Sequence, residues 1–230
     1  MLGNPDVLGT TPWRNLLAND FWGTPLIDSG SHGSYRPLCV LSYKLNHLLG
    51  GYKPLGYHLV NVLLHCLATG LVVKLSRQLL PKGWGPAVAG ALFASHPIHT
   101  EAVAGIVGRA DLAACNFYLL AFLAYCRHVQ CREADIAQQW SALAATILFA
   151  IAAVLFKETA VTALLVCAIY DITKALIGTR DKVNYNSLII YNFLFQIYVK
   201  PILNPLIQLF NHHFIQQISD HSLSLTSLHK

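Results

Sequence analysis

The chain has 230 residues, 54% of them hydrophobic and 12% charged, with a mean hydropathy of +0.46. A soluble domain carries roughly 25% charged residues, so this composition argues for a membrane protein before any segment is inspected. The net charge of +5 sits as basic residues between apolar runs, which reads as a topology signal and not as a nucleic-acid surface. No nucleic-acid partner is expected.

Residues 1–56 are mixed polar and aromatic, broken by Pro5, Pro12, Pro25, Pro37 and Pro54. The start, Met1 to Asp6, has no basic run followed by an apolar one, so no signal peptide is expected there. Start signals predict two short helices, Trp13–Asn19 and Leu38–Leu49. In the second, Leu38, Leu41, Leu45 and Leu48 form a stripe that Lys44 and Asn46 lie off. That pattern predicts an amphipathic helix lying on a bilayer or on other helices. Residues 1–56 are therefore read as a first loop outside the bilayer.

Five spans are expected, over about 57–75, 84–98, 111–126, 140–156 and 159–177, since crossing a bilayer takes about 20 apolar residues. In the first, His58, Asn61 and His65 make a polar stripe on one helical face, which should meet protein and not lipid. The second is short unless it runs through Pro97. Residues 178–230 form a tail of different character, with room for a further span over 187–210. Cys66, Cys115, Cys126 and Cys167 fall in apolar runs and read as small buried hydrophobes. Cys39 and Cys131 lie in polar stretches, and the chain has no CxxC pair, so a zinc or thioredoxin-like site has no support.

Three basic clusters, Lys74/Arg77/Lys82, Arg127/Arg132 and Lys174/Arg180/Lys182, follow alternate spans. The positive-inside rule assigns all three to the cytoplasmic side. The first loop, the stretch from His96 to Asp111 and the Lys157-Glu158 turn then share the opposite face. Ionisable groups beside a membrane are costly, so those residues are the functional candidates.

His96-x-x-His99-x-Glu101 admits several readings. Imidazoles at i and i+3 can share a helical face and a metal, but Pro97 disfavours a regular helix through His96, and the spacing is not that of a zinc peptidase. A polar cluster for an anionic head group is the other functional reading, with Arg109 to grip phosphate oxygens in pairs. Asp111 reads as the N-cap of the helix that follows. Lys157-Glu158 is either a paired charge at a tight turn or a lysine facing a phosphate. Ser31 to Pro37 is a second polar knot, in which Tyr35 and Arg36 suit a sugar or phosphate. Asp20-Phe21-Trp22-Gly23 offers an aromatic platform with a carboxylate, for a sugar or an interfacial anchor.

These strings carry a resemblance. Asn19-Asp20-Phe21-Trp22-Gly23, Ser31-His32-x-Ser34-Tyr35-Arg36-Pro37-Leu38, Tyr57-His58-Leu59-Val60-Asn61, His96 to Val103, Gly108-Arg109-Ala110-Asp111 and Lys157-Glu158 stand in the order of one family. The chain closely resembles the transmembrane and tetratricopeptide-repeat-containing family over about residues 4–177. Gly30-Ser31-His32 and Phe93-Ala94-Ser95-His96 look most like that family's second paralogue.

The resemblance implies an all-α, polytopic endoplasmic-reticulum membrane protein built as part of a GT-C type glycosyltransferase core. It implies mannose transfer from dolichyl phosphate mannose, on the lumenal face, to Ser or Thr of cadherin-type acceptors. No covalently bound cofactor and no metal ligands are expected. His96, His99 and Glu101 are the expected catalytic group. Arg109, Lys157, Glu158, His32, Tyr35 and Arg36 are expected to bind substrate and phosphate. The family also has an earlier helix and an aspartate pair upstream of the counterpart of Asn4, so the usual base is expected outside this sequence. Gly33 stands where the family usually has lysine. A catalytically incomplete scaffold or regulatory fragment of the family is the alternative.

Overall fold

A computed structural model describes residues 3–132 and 135–177. The tail and its possible span over 187–210 lie outside the described residues. The chain divides into two compact units, Met1–Asp171 and Ile172–Lys230, and the contacts that build the site lie in the first. Apart from one isolated bridge, between Asn19 and Pro25, the described elements are helical: α1 (Pro5–Leu8), a 3₁₀ turn (Trp13–Leu17), α2 (Pro37–Gly50), α3 (Pro54–Leu79), α4 (Gly85–Ser95), α5 (His99–Ala104), α6 (Arg109–Gln130), α7 (Ile136–Phe156), a second 3₁₀ turn (Glu158–Val161) and α8 (Thr162–Ile177). The protein is an all-α, polytopic membrane protein.

Among the described residues three helices, α3, α6 and α7, are long and apolar enough to cross a membrane. At 26, 22 and 21 residues they run about 31–39 Å, against a hydrocarbon core of about 30 Å. Their burial is that of a bundle in lipid. On α3 the stripe Tyr57, Asn61, Ala68 and Leu71 is buried, while Leu59, Val62, Leu63 and Leu67 are exposed. Between α6 and α7 the buried residues are small: Ala114 meets Ala153 and Ala160, with Phe117, Tyr118 and Phe156 around them. Small residues let helix backbones approach where there is no water to expel.

Element ends follow local chemistry. Asp135 caps α7 by accepting from the Gln138 N–H, and Pro54 and Pro86 open α3 and α4 in first-turn positions where no N–H is missed. Helix α4 stops at Ser95 because His96 precedes Pro97 and is extended, φ −67°, ψ 125°. The expected span over 84–98 is thus an 11-residue helix, about half the length a span needs. The last expected span, 159–177, is instead a 3₁₀ turn followed by the 16-residue α8.

Helix α2 falls close to its expected bounds, and of the two settings expected for its leucine stripe the structure leaves that side uncovered by the other helices. Cys39, Val40, Tyr43, Lys44 and Asn46 are buried, whereas Leu45 and Leu48 are exposed. Lys44 places its ammonium 4.0 Å over the Trp13 ring, a cation–π contact that accounts for its burial. Cys66 is exposed, opposite to its sequence reading, while Cys39 and Cys131, which fall in polar stretches, are buried. In a lipid-facing fold an apolar run marks the outside as often as the inside.

Candidate functional site

The first loop is organised by two carboxylates. Asp6 accepts from Asn19 Nδ2 at 2.9 Å and from the Thr11 hydroxyl. Asp20 accepts from the Trp22, Thr24 and His32 N–H groups and from Ser31 Oγ, at 2.8–3.1 Å. Burial pushes the Asp20 carboxyl up, but the hydrogen bonds from Thr24, Ser31, Trp22 and His32 outweigh it and hold it below its ordinary range. Asp20 and Phe21 are both 1% exposed and belong to a loop core, while the Trp22 ring is 46% exposed.

Arg109, the largest fully buried side chain among the described residues, is 1% exposed. Its Nε donates to Asn61 Oδ1 (3.2 Å), Nη1 to the Ser42 carbonyl (3.3 Å), and Nη2 to Asn46 Oδ1 (2.8 Å) and the Tyr57 carbonyl (3.1 Å). The guanidinium also lies 4.5 Å from the Tyr43 ring centre and 5.6 Å from that of Tyr57. Asn61 in turn donates to the Val103 and Gly105 carbonyls, and the Tyr43 hydroxyl to that of Ile106. One cation thereby ties α2, α3, the α5 region and α6 together. The expectation that Arg109 grips a phosphate is corrected: its donors are aimed at protein oxygens. A cation this far from water is held by satisfying its hydrogens internally.

Arg36 reaches Glu158 with two parallel bonds, Nε to Oε2 at 2.8 Å and Nη2 to Oε1 at 2.7 Å, and lies over the Phe21 ring. Lys157 Nζ donates to Asp111 Oδ1. Lys157 and Glu158 therefore pair outward, with α6 and the first loop, and not with each other. Asp111 does not cap α6, which starts at Arg109 with Gly108 as its N-cap; it sits in the first turn, where a carboxylate suits the helix dipole. Both carboxylates are half exposed, while the two basic groups are mostly covered.

The hydrogen bonds from Arg36 hold the Glu158 carboxyl below its ordinary range against the opposing effect of burial. A carboxylate depressed in the folded state adds stability above its unfolded pKa of about 4.3, and that stability is lost as pH falls through the folded value. The melting difference between wild type and Glu158→Gln is therefore expected at neutral pH and should vanish in acid. Because Glu158 is half exposed the difference is small, within about 1 kcal/mol. A difference that stays constant across this acid titration in detergent would contradict it.

His96 and His99 meet a different set. Together with His58 and His65 of α3 they line a cavity of about 380 Å³ between α3, the end of α4 and α5. Glu101 is two residues past His99, on another side of α5, and is exposed; it does not line that cavity. His32 is exposed with its ring 6.5 Å from that of Trp22, and Tyr35 is half-buried beside Arg36. Among the described residues no group of three or more His, Cys, Asp or Glu is set to hold a metal ion. The structure sorts the candidates into three separate groups: the sealed Arg109, the Arg36–Glu158 and Lys157–Asp111 pairs, and the histidines of the cavity. Sequence reasoning missed Asn46 and Tyr43 as holders of Arg109; the polar stripe through Asn61 was the signal for α3's share.

The chain is 60% identical over 191 residues to Protein O-mannosyl-transferase Tmtc2 of Drosophila melanogaster, covering 83% of this chain and 20% of that protein. It is 63% identical over 172 residues to Protein O-mannosyl-transferase Tmtc1 of the same species, covering 75% of this chain and 19% of that protein. It is 53% identical over 169 residues to human Protein O-mannosyl-transferase TMTC2, covering 74% of this chain and 20% of that protein. The chain thus spans about one fifth of the length of the curated relatives it matches. No family model matches it, and no solved structure does.

Proposed function

Because the chain belongs to the transmembrane and tetratricopeptide-repeat-containing family of protein O-mannosyl-transferases, we propose that it forms the donor side of a mannosyl transfer, from dolichyl phosphate mannose to Ser or Thr of secretory proteins such as cadherins. The setting is the lumenal face of the endoplasmic-reticulum membrane, within a GT-C type core. In that transfer the acceptor oxygen bonds to the anomeric carbon as the carbon–oxygen bond to phosphate breaks. The phosphate leaves with the electron pair, and the hydroxyl proton passes to a base.

One observation carries this reading: the Arg36–Glu158 and Lys157–Asp111 pairs. A guanidinium that takes two carboxylate oxygens side by side has the geometry that takes two phosphate oxygens. The acidic partners are the more open ones, so an arriving phosphodiester displaces them from the solvent side. Tyr35 and His32 flank Arg36 in the first loop. Glu101, exposed at the same end, is the carboxylate of this stretch left to receive a proton.

The rival reading, a non-catalytic scaffold of the same family, is favoured by the state of Asp6 and Asp20. Both are buried and held by hydrogen bonds, so neither serves as a base. The test replaces the matching stretch of Drosophila Tmtc2 with this chain's and measures donor binding and mannose transfer. Arg36→Ala and Lys157→Ala are each expected to weaken donor binding by roughly 10–100-fold, as for loss of a charge-assisted hydrogen bond. Unchanged binding in the double variant would remove the pair from the site. Donor binding with no transfer, in wild type and in Glu101→Gln alike, would favour the scaffold.

A further inference from the structure

The turn between α4 and α5 is closed by one imidazole. Helix α4 ends at Ser95 and α5 begins at His99, and Pro97 between them has no N–H to offer. His96 bridges the gap with two acceptors. Its carbonyl takes the His99 N–H at 3.1 Å, and its Nδ1 takes the Ile98 N–H at 3.2 Å. A backbone N–H only donates, so Nδ1 is bare and the neutral ring carries its hydrogen on Nε2. At six residues, α5 is far below the roughly 12–15 that a helix needs to hold by itself, so its start depends on such contacts. More than α5 hangs on it: the Val103 and Gly105 carbonyls receive the Asn61 amide, and Asn61 seats Arg109.

Acid changes what His96 can do. A proton added to the neutral ring goes to Nδ1, its bare nitrogen. That N–H then faces the Ile98 N–H, donor against donor, and the bond that closes the turn is lost. The helix ends act in the same sense. A charge at His96 lies at the carbonyl end of α4, which attracts it, and before the amide end of α5, which repels it. His96 is exposed, so the proton reaches it from solvent.

The groups around the ring do not hold such a cation in place. Helix α4, Gly85 to Ser95, has no titratable side chain. Helix α3 turns His58 and His65 toward the cavity that His96 lines, and α5 turns His99. The His99 ring centre lies 6.1 Å from that of His96 and 5.2 Å from that of His65, and burial, reinforced by both, pushes the His99 imidazole down. Glu101 does not line the cavity. On α6, Arg109 is spent on its four oxygens and Asp111 on Lys157.

We propose that His96 is a pH-sensitive latch on α5. Neutral, it closes the α4–α5 turn through the Ile98 N–H; protonated, it turns to the carbonyl end of α4 and frees the start of α5, which loosens the Val103 and Gly105 contacts to Asn61. The latch acts on the seat of Arg109 and does not rest on the transferase reading.

The test is hydrogen–deuterium exchange of the full chain in nanodiscs between about pH 7.5 and pH 5.5, either side of the ordinary imidazole range, corrected for the intrinsic pH dependence of exchange. Protection over residues 98–105 is expected to fall by roughly threefold or more in acid, the worth of one hydrogen bond, while protection of α7 stays level. His96→Asn should keep α5 protected at both ends of the range, because an asparagine oxygen also accepts the N–H two residues on and does not titrate. His96→Ala, which has no acceptor, should show the low protection of the acid form at both. A level wild-type profile, a fall as large in His96→Asn, or an equal fall in α7 would each overturn the latch.

Discussion

Arg109→Leu is expected to lower stability by about 3–5 kcal/mol, the scale seen when one member of a buried charged cluster is removed. The guanidinium satisfies four oxygens on two helices, Asn61 Oδ1, Asn46 Oδ1 and the Ser42 and Tyr57 carbonyls. Leucine fills much of the volume but leaves the Asn61 and Asn46 side-chain oxygens without their donor, at about 1–3 kcal/mol for each one that stays buried, while the Ser42 and Tyr57 carbonyls keep their partners within α2 and α3. Relaxation and water entry recover part of that sum. Arg109→Lys keeps the charge but cannot reach two helices at once with a planar fork, so its loss should fall between wild type and leucine. For a chain of this size 1 kcal/mol moves the melting temperature by roughly 2–4 °C, so Arg109→Leu should melt about 10 °C lower in detergent. A leucine variant that melts with the wild type would show that the network contributes nothing to holding α2 on α3. The same variant should also weaken donor binding, because α2 follows directly from Arg36.

Gly108→Ala should cost about 3 kcal/mol, at the upper end for overpacking. A Cβ at Gly108 would stand 2.3 Å from the Ala102 carbonyl oxygen, 2.4 Å from its Cα and 2.7 Å from its carbonyl carbon. Those are backbone atoms of α5 and cannot turn aside as a flexible side chain can. The backbone at Gly108 is ordinary, φ −62°, so glycine is required here by the close approach alone. Moving α5 off the start of α6 also shifts the Val103 and Gly105 carbonyls away from Asn61 and strains the seat of Arg109. Gly70→Ala is the internal control. It lies within α3 with nothing within 4 Å of the new methyl, and should stabilise by roughly 0.5–1 kcal/mol through helix propensity. Opposite signs for the same chemical change are the expected result, read as melting temperatures of the two variants. Equal shifts would mean that α5 does not rest on Gly108.

Composition and periodicity determined the class of this protein. Apolar runs of span length and few charges require helices in lipid, because an unpaired backbone group there is too costly. Pro97 determined the end of α4 and Pro37 the start of α2, since proline acts on the backbone beside it. All of these are local or statistical effects, which a sequence carries directly.

Partner choice belonged to the tertiary structure. Arg109 and Asp111 are two residues apart, yet one is sealed inside four oxygens and the other is half exposed on Lys157. Lys157 and Glu158 are adjacent, yet one pairs with α6 and the other with Arg36, 122 residues away. His99 and Glu101 share a short helix, and only His99 enters the cavity. Whether a charge is hub, ion pair or open acid depends on which helix arrives opposite it, and sequence distance does not encode that. The leucine stripe of α2 was legible as a stripe, with a bilayer and other helices both open as the surface it meets, because in lipid the apolar face is the solvent face. Only the packing of Tyr43 and Asn46 around Arg109 decides that the polar side turns in.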